Sequence, residues 1–567
     1  MVLTGAMIVV KLFGALFKIF VLKQLSGIGA AYFNTSYTLF TPIYSLALAG
    51  FPTAVAKMVA NFDVQKRYRD IKKTMRVAKI LFVAVGLLGS LILGLVAYPY
   101  VTMNSMEGAF WATVAIAPSL LFLCVTSVYR GYYEGLRNMR PTAVSEIVEV
   151  VVKVLVGLVL TWAVIQAGNT QFENTGRVFG QAAETAEAAY LLIMPYAAAA
   201  AILGVTASTL AGMLYIALRH RIRGDGISKE ECAAAPKPVG ARSIVKSLVK
   251  IAIPISLGAF VLNLATLIDT MTITNAMNRA FTQRFEEIRA IFGSVVPKEN
   301  FTPELFGTFL YGAYSFAFSI FNLIPAFTGI FGKSALPNVV NCWTAKHQEG
   351  LKRNIESTLR MSSLIAVPAG IGLSVLAKPI LTLLYSSQPA EVAIACPAMQ
   401  IMGISVIFLA ILTPAFSILQ AMDQVYLPVK LMLIGSGIKI LVNLLLIPIP
   451  QVNLKGAAYG TLACYVFIAT ASIRMVRRTA CVKLSFTSMF LKPLIAGVFC
   501  GVSAWACFGL LSRDIPQTAA VLAAVAAGGF VYLLVLLLIK GVSKQDMKMF
   551  PKGEKIAKTL EKWGLIG

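Results

Sequence analysis

The feature that most constrains this chain is the regular return of long apolar stretches. A helix needs roughly 20 mostly apolar residues to cross a hydrocarbon core about 30 Å thick. Such stretches recur along the whole sequence, and the linkers between them are too short for a separate soluble domain. Hydrophobic residues make up 58% of the chain and its mean hydropathy is +0.77, so its polar side chains could not cover it in water. We therefore expect an all-α polytopic membrane protein.

Apolar length predicts fourteen membrane-spanning helices. They fall near residues 1–24, 32–59, 77–98, 109–129, 142–166, 188–218, 247–275, 307–331, 357–376, 396–417, 427–449, 456–476, 491–511 and 518–540. No series of short alternating strands indicates a membrane barrel. The 8 cysteines are scattered without a CxxC pair, so neither a disulfide framework nor a zinc site is indicated.

The basic residues give the orientation. The formal net charge of +25 is spread over alternate linkers rather than one arm or helix, which is a topology signal and does not favour a nucleic-acid partner. Six Lys or Arg residues lie in the linker 60–76, whereas the linker 98–108 has none. The positive-inside rule then places both termini in the cytoplasm, with the chain in a bacterial inner membrane. The linker 278–306, with four basic and four acidic residues, is the exception.

The chain also repeats itself faintly. Residues 50–55 (GFPTAV) recur as residues 335–340 (ALPNVV), and the turn ahead of Lys153 recurs ahead of Lys439. The first six helices therefore correspond to helices seven to twelve. Because this shift is an even number of helices, the two lobes should be related by an axis along the membrane normal.

This repeat predicts the domain organisation. We expect an N-terminal lobe at 1–218, a cytoplasmic linker at 219–246 and a C-terminal lobe at 247–478. Helices thirteen and fourteen and a basic cytoplasmic tail follow at 479–567. Transporters built in this way bind substrate between the lobes and expose it to either side by rocking.

Charged residues inside the predicted spans are the candidate binding residues. A charge near the bilayer centre costs on the order of 2.5 to 3.5 kcal/mol, so it usually faces a cavity or a partner. Lys11 and Lys18 lie two helical turns apart in the first span, on one face, with Gly14 leaving room between them. They predict a cationic stripe facing a cavity. The alternative is that one or both lie near a helix end and snorkel to the interface.

The fifth span carries a second charged face. Glu146, Glu149 and Lys153 follow one another at i, i+3 and i+7, which places them on the same side of a helix. They would line the same cavity. The alternative is an internal Glu149–Lys153 salt bridge that only neutralises a packed helix.

Two charges mark the second lobe. Lys439 repeats the position of Lys153, and Asp269 lies within the seventh span among threonines. A membrane carboxylate beside hydroxyl groups suits a site for Na⁺ or H⁺, whose occupancy would couple to rocking. The alternative is an Asp269–Lys439 pair across the bundle.

These charges indicate the class of substrate. Lysine is a point-charge ligand for phosphate oxygens, so an anionic head such as pyrophosphate fits better than an organic cation. An enzyme is not expected and no cofactor is implied. The 2 histidines, His220 and His347, lie in predicted linkers, and no nucleophile or Gly-rich phosphate motif occurs.

Several motifs resemble a known family. Residues 50–57 (GFPTAVAK), 130–135 (RGYYEG) and 138–141 (NMRP), with the run from Ser145 through Glu149 to Lys153, resemble the stage V sporulation protein B branch of the polysaccharide-flippase (MOP exporter) superfamily. The resemblance covers nearly the whole chain. It implies a monomeric, fourteen-helix flippase for undecaprenyl-pyrophosphate-linked saccharides. Such a cargo would be a peptidoglycan precursor such as lipid II or a polysaccharide repeat unit.

The resemblance also implies roles for single residues. Lys11 and Lys18 stand where relatives carry first-helix arginines, and Asp269 and Asn443 look like members of the sodium site of lipid II flippases. A second-helix arginine of those flippases is replaced by Tyr44 or Ser45, which leaves the coupling ion and the sugar open. Two other functions also stay open: a MATE-type multidrug exporter, and a non-transporting scaffold for envelope assembly.

Overall fold

The computed structural model describes residues 2–424 and 426–542, which are almost entirely helical. The helices are α1 (Val2–Leu48), α2 (Phe51–Val64), α3 (Tyr68–Met103), α4 (Phe110–Gly135), α5 (Arg140–Thr175), α6 (Ala186–Arg223), α7 (Lys229–Ala234), α8 (Ala241–Phe292), α9 (Pro303–Phe321), α10 (Leu323–Thr344), α11 (Gln348–Val375), α12 (Ala377–Leu384), α13 (Pro389–Ala421), α14 (Tyr426–Leu446), α15 (Leu454–Ala480), α16 (Lys492–Leu511) and α17 (Gln517–Leu538). Between α5 and α6, two short strands, β1 (Arg177–Val178) and β2 (Gln181–Ala182), pair antiparallel.

Helix α1 reverses direction at Ser26. This residue has φ 54° and ψ −166°, which are not helical values. A straight helix would hold Lys11 and Tyr44 about 50 Å apart, yet both line one cavity. The rings of Phe17 and Phe33 also approach to 6.4 Å between centroids. Helix α1 is therefore a helical hairpin, and its two arms, the second continued by α2, correspond to the first two predicted spans.

The remaining spans agree with the prediction in number and order. Among residues 2–424 and 426–542, twelve helical segments are long and apolar enough to cross a membrane, and they match the third to fourteenth predicted spans. The all-α polytopic class is confirmed, and the count of fourteen holds approximately. Helix α8 extends past the predicted seventh span to Phe292, with a break from helical φ/ψ values at Arg284 (φ −139°, ψ 36°), within the predicted linker 278–306. The predicted basic tail beyond residue 542 lies outside the described residues.

Two compact units divide the chain differently from the predicted lobes. The first contains the residues up to Thr282 together with Val296–Gly312, and the second contains Gln283–Val295 and the residues from Ala313 onward. The predicted boundary lay at 219–246. The repeat-based lobes at 1–218 and 247–478 stay a prediction, since they were defined by similarity rather than by packing.

The first half of α8 accounts for this difference. Ile244, Leu248 and Ala252 are buried in the hydrophobic core that α2, α3 and α4 share. The amide of Gly50 also donates to Ser256 Oγ at 3.0 Å. Helix α8 thus packs on the first unit along its first three turns.

The segment between α6 and α8 is also held on the first unit. The buried carboxylate of Asp70 accepts a 2.7 Å hydrogen bond from the amide of Val239. Arg69 donates to the carbonyls of Cys232 and Ala233 at 2.7 and 2.8 Å. These contacts attach the predicted linker to α3.

Small residues bring α4 close to α2. Gly131 and Gly135 are four residues apart, and a Cβ at either would overlap the backbone oxygen of Pro52 or Ala56. Gly-xxx-Gly spacing lets helix backbones approach closely within a membrane. The resembling motifs at 50–57 and 130–135 are therefore two sides of one helix–helix contact.

The internal repeat is visible in local structure. Arg137 and Asp423, which are equivalent in the repeat, both have positive φ, of 57° and 64°. In the first turn Asn138 N donates to Tyr133 O, and in the second Gln424 N donates to Leu419 O. Each turn thus ends its helix with the same hydrogen bond and leads into the helix that carries Lys153 or Lys439.

Candidate functional site

The candidate site is built on α5, whose beginning is fixed by its sequence. Pro141 occupies the first turn, where its missing N–H costs nothing and its fixed φ suits a helix. From this start Glu146, Glu149 and Lys153 fall on one face. All three lie among the residues that line a cavity in the first unit.

Arg130 of α4 connects to this face. Its Nη2 donates to Glu149 Oε1 at 2.7 Å, and its Nε donates to Ser145 Oγ at 3.0 Å. Its Nη1 lies 4.0 Å from Glu146 Oε1. The side chains of Arg130 and Glu149 are each 17% exposed, so the ion pair is mostly shielded from solvent. Arg130 thereby offsets the acidic part of the α5 face.

A glycine makes room for the carboxylate. A Cβ on Gly212 of α6 would overlap Glu149 Oε1 and Cγ. Helix α6 can therefore pass directly beside the ion pair, whereas any larger residue would displace Glu149. Three helices, α4, α5 and α6, thus fix the position of one carboxylate.

The cavity has a volume of about 350 Å³ and a mixed lining. Its charged residues are Lys11, Arg130, Glu146, Glu149 and Lys153, which sum to a formal charge of +1. The aromatic residues Tyr37, Phe40 and Tyr44 line it from the second arm of α1. Because Arg130 engages the two acids, the lining keeps a net positive formal charge, which favours an anionic ligand.

The two lysines predicted in the first span, Lys11 and Lys18, lie in different surroundings. Lys11 lines the cavity, and a Cβ on Gly14 would meet no atom within 4 Å, so the space beside it is open. Lys18 is half-buried and is not part of the cavity lining. The ammonium of Lys153 lies 5.7 Å from the centroid of the Phe17 ring on the first arm of α1.

Glu149 pairs with a different residue from the one considered in the sequence. The alternative interpretation was an internal Glu149–Lys153 salt bridge, but the ion pair described for Glu149 is with Arg130. Lys153 instead lies against an aromatic ring and faces the cavity. The α5 face therefore carries a lysine that is attracted by the charge of Glu149 but for which the described residues show no direct salt bridge to it.

The predicted ion-coupling residues lie on other helices. Asp269 is 9% exposed on α8 in the first unit. Lys439 and Asn443 are 8% and 0% exposed on α14 in the second unit. A Cβ on Gly460 of α15 would overlap Asn443 Oδ1, so this glycine makes room for the amide. The roles of Asp269 and Asn443 in binding Na⁺ or H⁺, and the role of Lys439 in binding substrate, stay predictions.

Arg130 was missed as a site residue. The predicted fourth span ended at residue 129, so Arg130 was counted among the basic linker residues. Helix α4 instead continues to Gly135, which places Arg130 inside the bundle. The sequence does contain a signal, because Arg130 directly precedes Gly131 and Gly135, whose Gly-xxx-Gly spacing is typical of a contact between membrane helices. Gly131 packs on α2, so Arg130 must lie within the helix rather than in a linker.

The fold defines the class of protein. The chain superposes on solved transporters of the MOP superfamily. One is an inward-facing multidrug resistance MATE family transporter, with a TM-score of 0.63 at 12% identity. The match covers 83% of this chain and 94% of that chain. Lipid II flippase MurJ in an inward closed conformation has a TM-score of 0.62 at 12% identity, with 95% and 98% covered. The chain therefore has the fold of a multi-pass MOP-superfamily transporter.

Sequence comparison narrows the resemblance. Residues 307–514 match the family model for Lipid II flippase MurJ. The chain is 22% identical over 551 residues to Lipid II flippase MurJ of Bacillus subtilis, covering 94% of this chain and 93% of the relative. It is 20% identical over 556 residues to Stage V sporulation protein B of the same organism, covering 97% and 96%. The resemblance predicted from the motifs is confirmed.

Proposed function

We propose that this protein is a flippase that moves a polyprenyl-pyrophosphate-linked saccharide across the cytoplasmic membrane. The observation that carries the proposal is the cavity of the first unit, in which Lys11, Lys153 and Arg130 line the same space as Glu146 and Glu149 and give a formal charge of +1. The names of the two Bacillus subtilis relatives, one a lipid II flippase and one a sporulation protein, support a cargo used in envelope assembly.

The charge balance of the cavity depends on Arg130. Without it, Glu146 and Glu149 would cancel the two lysines, and the cavity would have no net attraction for an anion. With it, the formal charge is +1. A pyrophosphate would displace water from the two ammonium groups and gain charge-assisted hydrogen bonds.

The size of the cavity suits a head group rather than a whole precursor. Its volume of about 350 Å³ is near the lower end of small-ligand sites. The pyrophosphate and the first sugar would fit there, with Tyr37 and Tyr44 offering aromatic faces to the sugar ring. The polyprenyl chain would stay in the lipid.

A MATE-type multidrug exporter is the second candidate, because a solved MATE transporter shares the fold. Export of organic cations would be favoured if Glu146 and Glu149 lined the cavity without basic partners. Glu149 is instead bound by Arg130, and two lysines share the lining. This cavity therefore favours an anionic cargo.

Transport would proceed by alternating access, without catalysis. The basic linkers favour an orientation with both termini in the cytoplasm of a bacterial cell. Asp269 would bind Na⁺ or H⁺ and couple the gradient to the movement. Asn443 is a second predicted coupling residue, and Lys439 would repeat the role of Lys153 in the second repeat. The protein would act as a monomer.

The test is transport of an undecaprenyl-pyrophosphate-linked saccharide in proteoliposomes. Lys11→Gln with Lys153→Gln should lower the rate at least about tenfold, because two charge-assisted hydrogen bonds are lost. Lys72→Gln, an exposed lysine on α3, serves as the matched control and should transport normally. Normal transport by the double variant would rule out this binding site. A wild-type protein that supports normal envelope assembly in cells but shows no transport in proteoliposomes would favour a scaffold.

A further inference from the structure

A second cavity lies in the second unit, at the end of α15. Its volume of about 760 Å³ is within the range of small-ligand sites. Arg474, Arg477, Arg478 and Lys483 line it, together with Phe486. Four basic side chains around one cavity are a ready site for an anion.

The local chain path creates this cavity. Helix α15 ends at Ala480, and Cys481 caps it in the left-handed conformation with φ 54°. The chain then passes beside the last turns of the helix, and the amide of Ser485 donates to Glu356 Oε1 of α11 at 2.8 Å. A π-helical turn at Thr487–Leu491 leads into α16. The cavity is the space between the basic end of α15 and this returning segment.

The basic side chains lack acidic counterparts. Residues 424–513 contain no Asp or Glu. The nearby carboxylate of Glu356 accepts the amide of Ser485. Within the described part of the chain, Arg474, Arg477 and Arg478 form no ion pair with a carboxylate. The cavity therefore has a formal charge of +4 in its lining.

A structural explanation covers only part of this charge. Basic residues in the last turn of a helix compensate the negative end of its dipole, which is equivalent to roughly half an elementary charge. Four cations exceed that several-fold. A positive-inside bias accounts for their side of the membrane, but it does not require them to surround a cavity.

An aromatic residue forms the apolar edge of the cavity. Phe486 is 64% exposed, and its ring centroid lies 5.2 Å from that of Phe490. The site is at the end of a helix that is long and apolar enough to span a membrane, and the positive-inside rule would put this end beside lipid head groups. A ligand that carries both phosphate and acyl chains would satisfy both parts of the lining.

We propose that this cavity binds the head group of an anionic membrane phospholipid. The phosphate contacts the three arginines, whose guanidinium groups can bind it in bidentate fashion. The acyl chains leave past Phe486 into the bilayer. Basic pockets between membrane helices bind anionic lipid head groups through the same chemistry.

The test measures phosphatidylglycerol bound to the full-length protein by native mass spectrometry in a neutral detergent. The triple variant R474Q/R477Q/R478Q should bind it roughly 100-fold more weakly, since each basic residue near the surface contributes about fivefold. The matched control is R221Q/R223Q/K237Q, three exposed cations of the α6–α8 region, which should bind as the wild type does. Equal binding by the arginine triple variant would overturn the proposal.

Two further measurements separate a lipid from a free anion. Phe486→Ser keeps every charge and should weaken phosphatidylglycerol binding several-fold, while inorganic phosphate should not compete at similar concentration. No effect of Phe486→Ser together with effective competition by phosphate would assign the cavity to a free anion instead. If the Gln variant does not insert, R474K/R477K/R478K keeps the charge, and binding of phosphatidylglycerol as tight as in the wild type would then contradict the arginine contacts.

Discussion

Arg130, near the end of α4, donates a 2.7 Å hydrogen bond to Glu149 in the third turn of α5. From the sequence, Arg130 is expected in a linker and Glu149 within a membrane span, and the ion pair connects these two residues. It decides the formal charge of the cavity, because without Arg130 the two acids of the lining would balance its two lysines. Several expectations depend on this contact.

Replacing Arg130 by Gln should impair both stability and transport. Breaking a mostly buried ion pair by removing one partner costs about 3 kcal/mol, because a carboxylate is left without its cation. The freed acids would also compete with the cargo for the lysines. We expect a lower thermal unfolding midpoint in detergent and a transport rate reduced at least about tenfold.

The double variant R130Q/E149Q is the control for that experiment. It removes both charges, so part of the lost stability should return, with a coupling free energy of about 1 to 3 kcal/mol in the double-mutant cycle. Strictly additive effects of the two substitutions would mean that the ion pair does not matter.

Gly212→Ala should move Glu149 away from Arg130. The added methyl group would occupy the space of the carboxylate, so the ion pair would lengthen and transport would fall. Gly94→Ala on α3 is the matched control, because it lies outside the cavity lining and a Cβ there meets no atom within 4 Å. Equal transport rates for the two variants would contradict the packing of α6 on Glu149.

Gly135→Val should separate α4 from α2. Its side chain would overlap Ala56 O and Val59, and overpacking of this kind costs about 1 to 3 kcal/mol. Gly94→Val on α3 lies in open space and should be tolerated. The comparison is made by thermal unfolding, and an unfolding midpoint of Gly135→Val equal to that of Gly94→Val would show that the close approach does not contribute to stability.

Asp70→Asn should release the segment between α6 and α8. The neutral amide is a weaker acceptor for the amide of Val239 and no longer pairs with Arg67. Trypsin should then cleave the detergent-solubilised protein faster at Lys229. Asp63→Asn, at the end of α2, is the control, and similar cleavage rates for both variants would show that Asp70 does not hold the segment.

Asp269→Asn should uncouple transport from an ion gradient. The substitution removes the charge that Na⁺ or H⁺ would neutralise, while it leaves the lysines of the cavity unchanged. Transport should become independent of an imposed gradient, whereas Asp514→Asn, in an exposed loop, should keep the dependence. A gradient dependence that survives in Asp269→Asn would exclude this residue as the coupling site.

Much of the fold could be predicted from apolar length alone, because each span must satisfy its backbone as a helix in lipid. The ends of the spans could not be predicted in the same way, because α4 and α8 continue beyond their apolar stretches through charged residues. Those residues contact other polar groups or solvent. Arg130 shows the effect on the site. Its charge suggested a linker, and only the packing of Gly131 and Gly135 against α2 places it inside the bundle.

The lysines show a related limit. Lys11 and Lys18 share one helical face by spacing, yet only Lys11 lines the cavity. Where a long side chain ends depends on the neighbouring helices, which periodicity does not describe. The position of Lys153 is easier to predict, because the same face of α5 also carries Glu146 and Glu149, the two acids near Arg130.

The one-residue reversal at Ser26 has a practical consequence for mapping this protein. Epitope tags, cysteine-directed dyes and antibody fragments need an accessible loop, and the two arms of α1 leave almost none between them. The turn of Phe179 and Gly180 between β1 and β2 is a better insertion point, because both residues are exposed and a Cβ on Gly180 would meet no atom within 4 Å. Reporter fusions placed there would keep the helical hairpin of α1 intact.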